Sequence, residues 1–172
     1  NVGKLKVHEM KKRLLAINSK ANINMYEDFF SEKTAENILS TPYDYVFDGI
    51  DSLKSKCLLL AKCRERSLPI ICSGGAGGKL DPTRIQISDL NRTKNDPLLF
   101  RVRKELKRSY NFPKYENKKF HIPTVFSDEV GYKSPSETRA NACSLYGSLC
   151  HVTASFGLFM AGHVLNQMAN DV

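Results

Sequence analysis

The sequence predicts an α/β fold: a mostly parallel sheet with helices on both faces, plus antiparallel strands and a buried C-terminal helix. Three observations predict it. Residues 4–72 alternate helix, strand, helix, strand, helix, strand, the order that builds a parallel sheet with helices on its faces. Residues 84–88, Arg-Ile-Gln-Ile-Ser, alternate strictly, as an antiparallel or edge strand does. Residues 149–165 are apolar apart from His151, Thr153, Ser155 and His163. They fall short of the roughly 20 apolar residues of a membrane span, so they read as a buried helix.

Each element has its own local reason. Val7, Met10, Leu14 and Ile17 recur at helical spacing, opposite Lys11, Lys12 and Arg13, and Asn18-Ser19 ends that helix. Residues 21–30 alternate, with Ile23, Met25 and Phe29 on the apolar side, and read as a strand. Ser31 is placed to cap a short helix to Leu39, which Thr41-Pro42 breaks. Tyr45-Val46-Phe47 is a strand. Ser52 can cap a helix with Leu53, Cys57, Leu60 and Ala61 inward, and Pro69-Ile70-Ile71-Cys72 is the next strand. Asp96-Pro97 opens a helix whose apolar stripe is Leu98, Leu99, Val102 and Leu106. Its other face carries Arg101, Arg103, Lys104, Lys107 and Arg108. Residues 121–127 read as a strand, residues 131–141 as a loop, and residues 148–168 as the terminal helix.

At 172 residues the chain reads as one domain, with a βα-alternating part over 1–90 and a basic helix, loop and terminal helix over 91–172. The 26 Lys and Arg against 18 Asp and Glu give a net charge of +8, which favours an anionic partner without naming one. Cys57, Cys63, Cys72, Cys143 and Cys150 form no C-x-x-C pair, which argues against a disulfide framework and a four-cysteine zinc site. Reduced thiols in an intracellular protein are expected. The chain opens on Asn1 and on a helix, so a first strand and its phosphate-binding turn are expected upstream.

The chemistry gathers just past the strand ends, where open α/β sheets bind ligands. Asp48 and Asp51 follow the Tyr45–Phe47 run. A carboxylate there can hold a magnesium ion that also touches nucleotide phosphates, or it can cap the next helix. Gly74-Gly75-Ala76-Gly77-Gly78-Lys79 lacks the Ser or Thr and the following helix that a P-loop needs. Its glycines suit close backbone approach or a tight turn. Lys6 sits on the first turn of a helix, where the dipole prefers an anion, and so hints at an anionic ligand. Residues 101–119 combine cations with Tyr110, Phe112 and Tyr115, either a nucleic-acid surface or a solvated basic face. His8, His121, His151 and His163 show no metal-ligand spacing. His151 and His163 are expected as buried, hydrogen-bonded groups of the terminal helix.

Three segments carry a family resemblance: 2–7 (Val-Gly-Lys-Leu-Lys-Val), 13–18 (Arg-Leu-Leu-Ala-Ile-Asn) and 45–52 (Tyr-Val-Phe-Asp-Gly-Ile-Asp-Ser). They resemble the ThiF-type, ubiquitin-activating-enzyme-like superfamily, with its Rossmann-like domain. Residues 73–90, then Thr93, Asp96-Pro97-Leu98, Arg101, Arg103, Glu105, Leu106, Val125-Phe126-Ser127 and 152–157, resemble its tRNA threonylcarbamoyladenosine dehydratase branch. The resemblance implies ATP-dependent adenylation of the carboxylate on a tRNA adenosine, then cyclisation with net loss of water. It implies ATP and Mg²⁺ as cofactors, tRNA as partner, a homodimer and a cytoplasmic location, with a mitochondrial one left open. Lys6 matches the family lysine on the ATP phosphates, Asp51 the magnesium aspartate, and Phe29 a position near the adenine. Asp48 is then supporting or capping. Arg101, Arg103, Lys104, Lys107 and Arg108 are assigned to tRNA on charge alone, and Cys143 receives no role.

By the same resemblance the glycine-rich ATP loop, a ribose-binding acid and an arginine lie upstream of Asn1. Residues 1–172 are therefore expected to be one adenylating domain incomplete at its N-terminus and inactive alone. Two other readings stand beside this one: an activating enzyme for a ubiquitin-like or sulfur-carrier protein, and a non-catalytic binding or dimerisation fragment.

Overall fold

The computed structural model describes residues 2–131 and 147–170. Most of the loop expected at 131–141, and Cys143, lie outside them. The chain divides into two compact units, residues 1–42 and 43–172.

The first unit contains α1 (Lys6–Ile17) and the single turn α2 (Ala35–Ile38). No residue of α1 is buried, and Met10, Leu14 and Ile17 of its apolar stripe are exposed. The strand expected at 21–30 is absent: the segment carries no strand assignment. Alternation supplies a pleat, but a strand exists only where a neighbour completes its hydrogen-bond ladder. Side chains of α1 hold the segment instead. Lys11 Nζ donates to the Ile23 carbonyl at 3.0 Å, and His8 Nε2 lies 2.6 Å from Glu27 Oε1. Ser31 does not cap a helix running to Leu39. Its backbone N–H donates to Thr34 Oγ1 at 2.9 Å, and that hydroxyl donates to the Phe29 carbonyl at 2.8 Å. This local bonding forms a turn that delays the helix to Ala35.

The second unit is built on a sheet of β1 (Val46–Asp48), β2 (Ile70–Ser73), β3 (Ile85–Asp89) and β4 (Pro123–Ser127). Their order is β1-β2-β4-β3, with β1, β2 and β4 parallel and β3 antiparallel to β4. The strand expected from residue 121 begins at Pro123. His121 has a φ of 59°, and the Asp89 carboxylate accepts the Phe120 and His121 N–H groups at 3.0 and 2.7 Å. That turn ends before extended pairing can begin.

Helices α3 (Leu53–Glu65) and α4 (Pro97–Ser109) pack against each other, with Cys57 Sγ 3.9 Å from the Val102 carbonyl. Leu99 of α4 and Phe126 of β4 both approach Gly74, which puts α4 on the face that Phe126 presents. Helix α5 (Cys150–Asn170) covers the opposite face, where Ile71, Ile85 and Val125 meet Val152, Phe156, Met160 and Val164. Adjacent strand residues such as Val125 and Phe126 point to opposite faces, so the sheet is covered on both sides.

The burial of α5 is confined to one stripe. Every fourth residue from Val152 to Val164 is buried, while Leu158 and Leu165 are 72% and 66% exposed. A sheet can cover only one side of a helix, and apolar content alone does not reveal this. The two histidines of α5 are likewise not core groups. His151 is exposed, with Nε2 3.0 Å from the Leu80 carbonyl, and His163 is half-buried. Among the described residues no helix is long and apolar enough to cross a membrane.

Phe156→Ala should therefore lower unfolding stability by about 3 kcal/mol, whereas Leu158→Ala should change it by less than about 0.5 kcal/mol. Urea unfolding of both variants checks this, and equal losses would contradict the one-sided burial of α5.

Candidate functional site

Because β1 and β2 run parallel, their C-terminal ends share one edge of the sheet, and the two candidate aspartates gather there. They have different environments. Asp48 closes β1 and is fully buried. Its Oδ1 accepts the Ile50 N–H at 3.0 Å, and its Oδ2 lies 2.7 Å from Lys56 Nζ. Lys56, also fully buried, donates to the Ile50 carbonyl at 3.1 Å.

Burial works against the Lys56 charge, but the neighbouring Asp48 carboxylate outweighs it and holds its pKa above the ordinary value. Burial pushes the Cys72 thiol well up, so that group stays neutral and Asp48 is the true counter-ion. Asp48 and Lys56 together fix the turn from β1 into α3. Asp51 emerges from that turn exposed to solvent, two residues before α3. Ser52 occupies the N-cap of α3 without a side-chain bond to it.

The glycine segment after β2 serves packing. A Cβ on Gly74 would lie 2.4 Å from Asp96 Oδ2 and 3.0 Å from Leu99 Cδ1. Asp96 is the anchor: Oδ2 accepts the Gly75 N–H at 2.8 Å and Oδ1 caps α4 through the Leu99 N–H at 2.9 Å. Lys79 points inward, 1% exposed, and donates to the carbonyls of Asn95 at 3.0 Å, Ser127 at 3.3 Å and Glu129. Burial lowers its pKa. A lysine committed to three carbonyls cannot serve as a phosphate-binding P-loop lysine.

Lys6 and Phe29 belong to the first unit. Lys6 is the exposed first residue of α1, whose N-cap Leu5 offers no side-chain acceptor. Phe29 is 93% exposed and, contrary to expectation, ends no strand. The basic face of α4 is divided. Arg103 donates to Thr93 Oγ1, and burial lowers its pKa. Lys107 sits 5.6 Å from the Phe120 ring centre, and Arg108 pairs with Glu105 at 2.5 Å. Arg101 and Lys104 project into solvent.

Residues 1–171 match the ThiF family. The chain belongs to the ThiF family. It is 37% identical over 173 residues to a tRNA threonylcarbamoyladenosine dehydratase of Haemophilus influenzae, covering 97% of this chain and 66% of that protein. It is similar at 34% identity to the crystal structure of the E. coli tRNA N6-threonylcarbamoyladenosine dehydratase in complex with AMP, with a TM-score of 0.90 over 99% of this chain and 67% of that one. The complex of the same E. coli enzyme with ATP matches with a TM-score of 0.89, covering 99% of this chain and 66% of that one. The chain thus spans about two thirds of the length of the relatives it matches.

Lys56 is the residue that sequence reasoning passed over, while Lys79 and Asp96 were read only as the end of a glycine segment and the opening of a helix. One signal existed: Lys56 directly precedes the apolar run Cys57–Ala61, all of it buried. A lysine on a buried face needs a buried acid, and Asp48, at the end of the preceding strand, is that acid.

Lys56→Met alone should destabilise the protein by about 3–5 kcal/mol, because it strands a buried carboxylate. Adding Asp48→Asn should recover part of that loss in the double variant. Urea midpoints test this, and a Lys56→Met protein as stable as wild type would show that the pair does not hold the turn.

Proposed function

We propose that the protein is an ATP-dependent tRNA threonylcarbamoyladenosine dehydratase, and that residues 1–172 form one ThiF-type adenylating domain of it. The carrying observation is similarity to such enzymes along nearly the whole chain, including one seen with ATP and with AMP. The exposed Asp51 at the C-terminal edge of the sheet adds a physical reason, since ligands of open α/β sheets bind there. A carboxylate is a poor electrophile. ATP supplies the adenylyl group that makes it a good acyl donor. Closing a ring within one modified nucleoside then gains from proximity.

The residues present fit magnesium. Mg²⁺ takes one or two carboxylates and completes its shell with phosphate oxygens and water. An exposed single aspartate suits that demand, and Asp51 would hold the ion. Among the described residues no cluster of three His, Cys, Asp or Glu groups competes for it. Lys6 would balance phosphate charge from the first turn of α1, and Phe29 would lie near the adenine. The tRNA would meet Arg101 and Lys104, the outward cations of α4, with Arg103, Lys107 and Arg108 contributing through their exposed parts. A homodimer in the cytoplasm completes the reading.

Full-length protein given Mg-ATP and tRNA bearing threonylcarbamoyladenosine should release AMP, and the nucleoside should lose one water by mass spectrometry. Neither signal in an active preparation would sink the assignment. Asp51→Ala and Lys6→Ala should each cut the rate at least about 100-fold. Asp51 and Lys6 are both exposed, so thermal stability should stay near wild type. An Asp51→Ala enzyme at normal rate in low magnesium would remove the metal role.

A further inference from the structure

The loop after α4 holds a feature that the similarity does not assign. Residues 111–118 surround an open, shallow cavity of about 560 Å³ lined by Asn111, Phe112, Pro113, Lys114, Tyr115 and Lys118. The loop is held from several sides. Asn91 Nδ2 donates to the carbonyls of Tyr115, Glu116 and Lys118 at 3.2, 3.1 and 2.8 Å. Arg64 lies 4.3 Å from the Phe112 ring centre and donates to the Asn111 carbonyl at 3.2 Å. Phe112 packs edge-on to Phe120 at 4.9 Å.

Against this fixed base Tyr115 is 74% exposed. The segment 107–119 around it carries Lys107, Arg108, Lys114, Lys118 and Lys119 against the single acid Glu116. An exposed aromatic on a rigid base, with lysines such as Lys114 and Lys118 lining the same cavity, is an arrangement that suits unpaired nucleic acid. The ring stacks a base and the cations take the phosphates. Preorganisation matters because ordering a loose loop would consume binding energy.

We propose that the 111–118 loop is a docking site for an unpaired nucleotide of RNA, with Tyr115 as the stacking platform and Lys114 and Lys118 on the flanking phosphates. This deepens the reading of the protein as a tRNA-modifying enzyme and rests on it for the identity of the RNA. It relocates the main RNA contact from the α4 face, where three of five cations have protein partners, to the loop beyond it.

The test is fluorescence anisotropy of the full-length protein with a labelled RNA stem–loop and with a blunt RNA duplex. Tyr115→Ala should weaken stem–loop binding roughly 5- to 150-fold, the range for loss of one base–aromatic stack. Tyr115→Phe should restore it, and duplex binding should change less than about twofold. Lys114→Ala should flatten the salt dependence by about 0.7 in log–log slope. Stem–loop affinity unchanged in Tyr115→Ala, or an equal loss on the duplex, would overturn the proposal. So would loss of affinity for a polyglutamate peptide alone, since that would make the loop an acidic-protein site. The two readings fail separately. No AMP release with Tyr115-dependent RNA binding would remove the reaction and keep the loop site. AMP release with Tyr115-independent binding would do the reverse.

Discussion

The buried ion pair of Asp48 and Lys56 governs the edge of the sheet where the candidate site lies. Taking both charges out of water is expensive, and their attraction repays it only with good geometry and added hydrogen bonds. Here those bonds are local. The Ile50 N–H and carbonyl bind one member each, so the pair is spent on shaping a turn of a few residues. Packing alone could stabilise the domain. What the pair adds is a defined exit from β1, one that sends the next carboxylate, Asp51, into solvent. A loose turn would leave Asp51 at the mercy of loop motion, and a carboxylate that serves a site must be placed by supporting groups.

The same solution recurs at β2 and β4. Lys79 is a second buried cation, and it ties the carbonyl of Asn95 to those of Ser127 and Glu129 at the end of β4. Asp96 does the complementary work with N–H groups from the glycine segment and from α4. Open sheets end in many unpaired backbone groups, and buried ones must find partners. In this chain single charged side chains bind several such groups at once. That explains why Gly74 has no room for a Cβ: the backbone must come close enough to Asp96 to donate.

This economy bears on what could be read from sequence. The sheet was legible, since β1, β2, β3, the order of helices and the capping Asp96 all follow from local pattern. The failures share one cause, the dependence of structure on neighbours that a local pattern cannot show. Residues 21–30 alternate like a strand but lack a ladder. α5 is apolar like a core helix but meets the sheet on one stripe only. At the site, the two aspartates looked interchangeable because spacing is silent about Lys56. The family resemblance separated them by matching Asp51. The structure shows that their environments differ, Asp48 buried beside Lys56 and Asp51 exposed.

Net charge misleads for a related reason. A total of +8 suggests a broadly basic surface, yet the cations are not equivalent. Lys56 and Lys79 are buried. Arg103 is partly desolvated against Thr93, Arg64 lies over Phe112, and Lys107 lies near Phe120. Each of these serves the fold first. Electrostatic attraction to a polyanion falls off within a Debye length, about 8 Å at physiological salt, so only cations near the surface act on it. Among the cations of α4 and the loop beyond it, Arg101, Lys104 and Arg108 on the helix and Lys114, Lys118 and Lys119 on the loop stay exposed. On the loop those cations are sequence neighbours of the exposed Tyr115, so under the proposed RNA reading charge and stacking would act on one ligand together.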